Sequence, residues 1–378
     1  MKEKGQYPKK TVEHIWILLC TAVSVLLLLG ILFSVGKPME SAHPRELDVA
    51  IMDKYDMVMT NQISDALSGI LSIEKVYWLS DEDLIAPEPD PAKFGETDDP
   101  ATLQWLLDEA AELLDGQPTM FSTETEILEG TKIKYYLDDT IFAVTWKQGV
   151  GLSVFTCAEV KIAHPSQFRR FMAGGEYGTA IRYTTTEMAK NVNAVTASNG
   201  DYYAYRPQGI VVNNGTVYRS GEHLLGTCFI DDKGDLVFTG IGELTEKADI
   251  EAFVKQNNIR FSLAFGPVLV ENGENKVPLR YAVGEIDKNH SRAALCQLGQ
   301  CHYMVVTANI GPYYYEPPTL WDFADQLIGL GVKRAYALDG GQTATIVMGD
   351  ELMNSVDYGG EREISDIIYF ATALPDGT

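Results

Sequence analysis

The stretch that decides the fold is TLWDFADQLIGLGVKRAYALDGGQTATIVMGDELMN, residues 319–354. Thr319 is a suitable N-cap, and the apolar side chains that follow recur on one helical face until a glycine stop, so a helix is predicted first. RAYAL then predicts a short buried strand, and TATIVMGDELMN predicts a hairpin that turns at Gly349-Asp350. A helix followed by strands joined through tight turns predicts a sheet with a helix packed on it.

The same signals continue towards the N-terminus of this stretch. LSVFTCAEVKI, AVTASNGDYY, GIVVNNGTVYR and CFIDDKGDLVFTG indicate strands, several of them joined by Asn-Gly or Lys-Gly turns. PSQFRRFMAGG (165–175) and TTTEMAKNV (184–192) predict short helices. Repeats and a regular strand–helix alternation are both absent from the sequence. The predicted class is therefore α+β, with mixed β-sheets and flanking helices in a domain covering residues 151–378.

Residues 37–150 are predicted to form a membrane-proximal region with its own elements. An acidic, proline-rich connector covers residues 81–100. A helix is predicted to follow, with Asp99 as its cap and Gly116 as its end. KIKYYLDDTIFAVTWK then predicts a hairpin around Asp138-Asp139.

The N-terminus predicts a membrane anchor. Residues 15–36 (IWILLCTAVSVLLLLGILFSVG) contain no charge, and as a helix they span about 33 Å, enough for a bilayer core. Four lysines in residues 1–14 favour a cytoplasmic N-terminus and an extracytoplasmic C-terminal domain. The alternative is a cleaved secretory signal, but the apolar core is longer than usual for one, so we expect the helix to be retained as a single-pass signal anchor in the cell membrane.

The charge of the chain excludes one class of partner. The formal net charge is −23, and the sequence shows no basic stripe that would reverse it locally. Such a surface repels nucleic acid, so no nucleic-acid partner is predicted.

Cys296 and Cys301, in RAALCQLGQCHYMVV, are a candidate disulfide. If Leu298-Gly299 is the tight turn of a hairpin, the two cysteines face each other at a separation that suits a disulfide. Two reduced, buried cysteines are the alternative that the sequence leaves open. A zinc site is disfavoured, because no second Cys or His pair stands at ligand spacing.

Motifs of several common enzyme classes are missing, which narrows the function. The chain has no P-loop, no H-E-x-x-H and no G-x-S-x-G sequence. Polar residues instead follow apolar strands: Asn199-Gly200-Asp201, Arg292, Asp339-Gly340-Gly341 and Glu361-Arg362. Strand ends are where scaffolds present functional groups. Taken singly, each of these motifs is better explained as an ordinary turn or a solvated charge.

Taken together, these segments resemble the phosphodiester glycosidase family, which includes uncovering enzymes and bacterial exopolysaccharide-associated proteins. In chain order they are ASNGDYY with GIVVNNGTVYR, AFGPVLVENG, SRAAL, YALDGGQTATIVMGDELMN and GGEREISDIIYF, within residues 152–373. Asp-Gly-Gly with Asn354 downstream is the most specific part. The resemblance implies a membrane-anchored hydrolase that cleaves the glycosyl–phosphate bond of sugar phosphodiesters in cell-surface polysaccharide or wall polymer.

The chemistry of that reaction is consistent with these residue types. Cleavage gives an oxocarbenium-like transition state while negative charge stays on the phosphate, so an anion-binding arginine and a carboxylate near C1 are needed. The resemblance implies Arg292 and Arg362 as phosphate clamps, and Asp339 or Glu361 as base or electrostatic partner. It implies substrate binding by a second set of residues, namely Asn199, Gly200, Asp201, Gly340, Gly341, Thr343 and Asn354. We expect these strand ends to converge on one cleft.

Two departures from the family pattern leave the substrate open. Gln342-Thr343 stands where the family often has Gly-Ser, and Leu295-Cys296 where it usually has Ile-Gly. Neither departure removes a charged group. No cofactor or metal is predicted, because calcium is compatible with Asp-rich strand ends but no ligand spacing demands it. The alternatives are a non-catalytic glycan-binding or assembly protein of the cell envelope, and a mainly structural membrane-tethered factor.

Overall fold

The computed structural model describes residues 78–374, except 82, 222–223 and 310–315. The predicted cytoplasmic segment 1–14, the predicted anchor 15–36 and residues 37–77 lie outside this range. Within it, no helix has the length and apolar character that a membrane crossing requires.

Strands make up most of the regular structure of these residues. They are β1 (Phe94–Thr97), β2 (Ile133–Leu137), β3 (Ile141–Val150), β4 (Ser153–Ile162), β5 (Phe168–Met172), β6 (Thr196–Asn199), β7 (Ile210–Asn213), β8 (Thr216–Ser220), β9 (Thr227–Ile230), β10 (Leu236–Thr239), β11 (Phe261–Leu263), β12 (Val268–Glu271), β13 (Glu274–Asn275), β14 (Arg292–Gly299), β15 (His302–Asn309), β16 (Arg334–Leu338), β17 (Ile346–Met348), β18 (Glu351–Leu352) and β19 (Asp366–Phe370). The helices are α1 (Gln104–Glu109), α2 (Ala111–Leu114), α3 (Thr185–Asn191), α4 (Lys247–Gln256) and α5 (Leu320–Gly329).

The strands form three sheets. The largest has nine strands in the order β1-β2-β3-β4-β15-β14-β16-β12-β13. Two five-stranded sheets have the orders β10-β9-β11-β7-β8 and β18-β17-β6-β19-β5. Neighbouring strands among the described residues pair antiparallel. The predicted α+β class is confirmed in its coarser form, since strands predominate and helices are few.

The core consists of layers on the two faces of the nine-stranded sheet. On β14, Ala294 and Cys296 face one apolar cluster, which α1, α2 and α5 complete. The alternate residues Ala293 and Leu295 face a second cluster, which contains side chains from both five-stranded sheets. This period of two follows from strand geometry, in which successive side chains point to opposite faces. Burial on both faces fixes the register of the central strands.

The boundary predicted between residues 150 and 151 lies inside a hairpin. β3 ends at Val150, β4 begins at Ser153, and the two strands pair along their whole length. β1, β2 and β3 of the predicted membrane-proximal region are therefore strands of the same sheet as β4, β14, β15 and β16.

Several local predictions hold and one fails. Thr319 caps α5 by accepting from the Asp322 amide, and β17 and β18 form the hairpin at Gly349-Asp350. Residues 165–175 were predicted to be a helix, whereas Phe168–Met172 is strand β5, paired with β19. Arg169 and Arg170 of this strand are both buried, and they donate to the side chains of Tyr369 and Asp366 on β19.

The predicted disulfide is not formed. Cys296 and Cys301 are both free thiols. The hairpin turns at Gln300-Cys301 rather than at Leu298-Gly299, so Cys296 lies opposite Met304. Cys296 packs on the helix-covered face of the sheet and Cys301 in the cluster on the other face, which separates the two sulfur atoms.

Candidate active site

The predicted strand ends meet at one place in the structure. Asn199 is the last residue of β6, and its Nδ2 donates to the backbone carbonyl of Asp339 at 2.8 Å. Asp339 directly follows β16. β14 runs antiparallel to β16, with Ala293 opposite Leu338, so Arg292 begins its strand beside Asp339.

A cavity of about 460 Å³ opens at this meeting point. It is lined by Tyr202, Arg206, Gln208, Phe265, Val283, Gly284, Glu285, His290, Ser291, Arg292, Ala293, Leu320, Ala337, Leu338, Asp339, Gly340, Gly341 and Arg362. The structure thus brings together Arg292, Asp339, Gly340, Gly341 and Arg362 from the sequence-predicted set. A cavity of this size is in the range of small-molecule binding sites.

Asp339 is the central carboxylate of the cavity. Burial raises the pKa of Asp339 to about 6, while the Thr343 hydroxyl and the positive charges of Arg362 and Arg206 act in the opposite direction. A carboxyl group that titrates near neutral pH in a cleft is typical of a catalytic position.

Arg206 and Arg362, which we call the pocket arginines, both lie against the same aromatic ring. Their guanidinium carbons lie 5.3 Å and 5.2 Å from the centroid of the Tyr202 ring. Arg362 donates from Nη2 to the Tyr202 hydroxyl at 3.1 Å and forms no ion pair with a described carboxylate. Arg206 donates from Nη2 to the Ala264 carbonyl at 3.3 Å, and its buried Nε has no hydrogen-bond partner among the described residues.

Ion pairs within the described part of the chain do not include either pocket arginine or Asp339. Two guanidinium groups beside one pocket, without carboxylate partners, create a positive potential there in a protein of net charge −23. Arginine presents a planar set of donors that matches phosphate oxygens, so the pocket is suited to binding a phosphate.

Arg292 also lines the cavity, but its donors are directed elsewhere. Its guanidinium donates to backbone carbonyls on the segment 284–288 and at residue 318, including Nη1 to the Gly284 carbonyl at 2.7 Å and Nε to the Pro318 carbonyl at 3.2 Å. Burial lowers the pKa of Arg292 to about 10. This geometry does not fit the predicted phosphate clamp; Arg292 instead fixes the loop that forms one wall of the pocket.

Glu361 lies outside the cavity lining, although its neighbour Arg362 is inside it. Its carboxylate accepts from the amide and the hydroxyl of Thr186, at 3.1 Å and 2.6 Å, in the first turn of α3. The two residues predicted to act side by side therefore point to different surroundings, and Asp339 is the predicted carboxylate that faces the pocket.

A buried network lies beneath the pocket. Arg170 on β5 donates from Nε to Asp366 at 2.7 Å and lies 3.8 Å from Asp201, with all three side chains buried. Asp201 accepts from the Tyr202 amide at 2.6 Å, and so fixes the residue whose ring contacts the pocket arginines. The predicted substrate-binding residue Asp201 is thus a positioning residue. We call these three residues the buried network.

At two of the predicted glycines, neighbouring atoms lie so close to the backbone that a side chain would not fit. A Cβ on Gly200 would lie 2.5 Å from Asp366 Oδ2, and a Cβ on Gly340 would lie 2.3 Å from the Ser291 carbonyl oxygen. Gly341 has a φ of +62°, and its amide donates to the same carbonyl at 2.8 Å. These glycines allow the strand ends to pack at the base of the pocket.

Thr343 and Asn354 support the loop after Asp339. The Thr343 hydroxyl donates to the Gly340 carbonyl at 2.7 Å. Asn354 accepts from the Ile346 amide at 2.7 Å and donates to the Ala344 carbonyl at 2.8 Å, while it is buried. Both side chains hold the Asp-Gly-Gly segment rather than line the cavity.

Arg206 and Tyr202 line the pocket but were not predicted from the sequence. Tyr202 follows the predicted Asn199-Gly200-Asp201 motif directly, and Arg206 lies one short 3-10 helix further on. An arginine close behind a polar strand end was a usable signal for this position. No group of three or more His, Cys, Asp or Glu residues suited to holding a metal occurs among the described residues.

Fold and site together define a mostly β domain with a pocket that contains the two pocket arginines and a carboxylate, Asp339, whose pKa is raised. Comparison with known proteins adds the family. The model of the phosphodiester glycosidase (NAGPA) family matches residues 192–371. Residues 192–371 thus match the family that the motifs resembled, and they contain Asp339 and both pocket arginines.

Individual relatives are distant. The SPbeta prophage-derived protein YomE of Bacillus subtilis (strain 168) is 24% identical over 198 residues, which are 51% of this chain and 30% of YomE. The catalytic domain of zebrafish N-acetylglucosamine-1-phosphodiester alpha-N-acetylglucosaminidase, auto-inhibited by its pro-peptide, is 18% identical with a TM-score of 0.48, over 69% of this chain and 92% of that one. A hypothetical protein from Synechocystis has 15% identity and a TM-score of 0.48, over 61% and 62% of the two chains.

Proposed function

We propose that this protein is a phosphodiester glycosidase, a hydrolase that cleaves the bond between the anomeric carbon of a sugar and an oxygen of a phosphate diester. The observation that carries the proposal is the placement of Asp339 in one pocket with two arginines that lack carboxylate partners among the described residues. The family match over residues 192–371 supports this reaction class.

The pocket residues divide the reaction between them. Arg206 and Arg362 bind the phosphate, which leaves with the electron pair of the C1–O bond and is already a good leaving group. Asp339, in its ionised form, stabilises the positive charge that develops at C1 and accepts a proton from the attacking water. The water oxygen forms the new bond to C1, so the products are a free sugar and a phosphate monoester.

We place this activity at the cell envelope. The uncharged stretch 15–36 and the lysines before it support a single-pass anchor with the catalytic domain on the extracytoplasmic side. Sugar phosphodiesters of wall polymers and exopolysaccharide would be within reach of such a domain. The net charge of −23 argues against nucleic acid as the source of the phosphodiester.

The test is release of sugar from defined substrates. The full-length protein is incubated with methyl phosphodiesters of glucose, galactose and N-acetylglucosamine 1-phosphate, and free sugar and methyl phosphate are measured. Equal amounts of both products are expected from at least one substrate, with the Asp339→Asn variant as the control. Binding without release would favour the non-catalytic glycan-binding alternative. If none of the substrates were bound or cleaved, the proposal would be rejected.

A further inference from the structure

A row of aromatic rings leads from the pocket to the surface. Phe265 is 8% exposed, Tyr202 is half-buried and Tyr205 is 41% exposed. The ring centroids of Phe265 and Tyr202 are 6.4 Å apart, and those of Tyr202 and Tyr205 are 4.8 Å apart in a stacked arrangement. Phe265 and Tyr202 line the cavity, whereas Tyr205 lies beyond its lining.

An arginine accompanies each step of this row. Arg206 lies 4.8 Å from the Phe265 centroid and Arg362 lies 4.8 Å from the Tyr205 centroid. A third guanidinium, that of Arg182, lies 5.4 Å from the Tyr205 centroid. Two arginines therefore share the Tyr205 ring, and one of them is outside the pocket. We call the three rings and the three arginines the arginine–aromatic row.

Arg182 is held in place but retains free donors. Its Nη1 donates to the carbonyls of Thr179 and Ile181, at 2.8 Å and 2.6 Å. Its Nε and Nη2 have no hydrogen bond to a described residue, and the side chain makes no ion pair with one. The Tyr205 ring is fixed as well, because its hydroxyl donates to the Glu363 carbonyl at 2.9 Å. A site that is already ordered loses little entropy when a ligand binds.

Charge makes this cluster unusual for the protein. Three guanidinium groups within reach of neighbouring rings repel one another, in a chain whose formal net charge is −23. An anion at each arginine removes this repulsion. Arg182 lies outside the residues that match the family model.

We infer that Arg182 and Tyr205 form a second phosphate subsite, one unit away from the catalytic pocket, and that the substrate is a chain in which phosphates alternate with sugar or polyol units. This inference rests on the proposed function for the pocket. It adds that a single sugar phosphodiester fills only part of the site. The phosphate at the pocket arginines is the one that leaves, and the phosphate at Arg182 only anchors the chain.

The test measures binding of glycerol phosphate oligomers with one, two and four phosphates to the full-length protein by titration calorimetry. Relative to one phosphate, two are expected to bind at least tenfold more tightly to the wild type. Arg182→Gln is expected to reduce this gain to less than twofold without changing the affinity for one phosphate. Arg182→Lys, which keeps the charge, is expected to keep part of the gain.

A matched control removes a charge elsewhere. Lys333 is exposed and directly precedes β16, and Asp339 directly follows it. The length of the strand therefore separates Lys333 from Asp339 by roughly 20 Å. Lys333→Gln is expected to keep the full gain. The subsite would be rejected if all oligomers bound wild type equally, if Arg182→Gln kept the gain, or if Lys333→Gln lost as much of it. Equal, Arg182-dependent binding of galacturonate oligomers of matched charge would overturn the assignment to phosphate.

The outcome does not depend on catalysis, because glycerol phosphate oligomers contain no glycosyl bond. Length-dependent binding without sugar release in the earlier assay would leave the subsite standing and reject the proposed reaction. Sugar release without length-dependent binding would support the proposed reaction and reject the second phosphate subsite.

Discussion

The buried network and the pocket arginines contain the same kinds of residue and use them in opposite ways. In the network, Arg170 is paired with Asp366 at 2.7 Å, away from water. At the pocket, Arg206 and Arg362 contact an aromatic ring and carry no ion pair with a described residue. A paired charge in the interior fixes the backbone, whereas an unpaired charge at a cleft is available to a ligand.

The two regions are joined through one short segment. Asp201 belongs to the network, and the next residue, Tyr202, carries the ring beside the pocket arginines. The comparison therefore predicts that substitutions in the network change stability first, and substitutions at the pocket change turnover first.

The largest effect is expected for Asp339→Asn. Turnover should fall by roughly three orders of magnitude, because the isosteric amide cannot stabilise the developing charge at C1 or accept a proton. The measurement is kcat on the best phosphodiester substrate, with circular dichroism to verify that the fold is retained. A rate within tenfold of wild type would remove Asp339 from the reaction.

Arg170→Met should be the most damaging change to the fold. It leaves the Asp366 carboxylate buried without its partner, which costs roughly 3–5 kcal/mol of unfolding free energy. Chemical denaturation of the variant measures this loss. The double variant Arg170→Met with Asp366→Leu should recover part of it, because the Asp366 charge is removed as well and only the Asp201 carboxylate is left without its arginine. A cost below about 1 kcal/mol for the single change would contradict this prediction.

Arg206→Gln and Arg362→Gln should each lower kcat/KM by about 100-fold to 1,000-fold through lost phosphate binding. Their unfolding free energies should stay within about 0.5 kcal/mol of wild type, because neither arginine holds a carboxylate. Arg292→Gln is the contrasting variant, since its guanidinium bonds backbone carbonyls and its loss should destabilise the pocket loop. If the pocket arginines proved as important to stability as Arg170, the comparison would fail.

The pH profile of kcat/KM should have one acidic limb. Burial raises the pKa of Asp339 to about 6, so the required carboxylate is protonated below this pH. Activity is expected to fall tenfold per pH unit below about pH 6 and to be level just above it. Loss of activity on the alkaline side of pH 6 would instead assign the protonated form, and so a general-acid role, to Asp339.

The smallest effect concerns stability at the pocket. The folded pKa of Asp339 is raised above its unfolded value, so the ionised group weakens the folded state at neutral pH and the protonated group does not. Asp339→Asn should therefore raise the unfolding free energy by about 1–2 kcal/mol at pH 7.5, and by much less at pH 4. A loss of stability at pH 7.5 would show that the carboxylate holds the fold.

Local chemistry explains which features the sequence could predict. The cap at Thr319, the hairpin at Gly349-Asp350 and the Asp-Gly-Gly segment depend on neighbouring residues, and each lies where it was expected. The buried roles of Arg169 and Arg170 depend on partners far along the chain, such as Asp366, and the local sequence of residues 165–175 does not show those partners.

The site shows the same limit. The motifs located Asp339 and Arg362, but they could not show that the Arg292 donors turn to backbone carbonyls or that Glu361 turns to α3. Arg206 was missed because only the fold of residues 199–206 brings its side chain to the ring of Tyr202.

The free thiols of the sheets can report the order in which parts of the structure open locally. Cys157, Cys228, Cys296 and Cys301 are all buried, and burial raises the pKa of each thiol, so a maleimide can label them only after strands separate. Cys301 sits in a hairpin turn, whereas Cys157 and Cys296 lie in central strands. The order in which these sulfur atoms acquire label would therefore map how the large sheet comes apart, without any engineered probe.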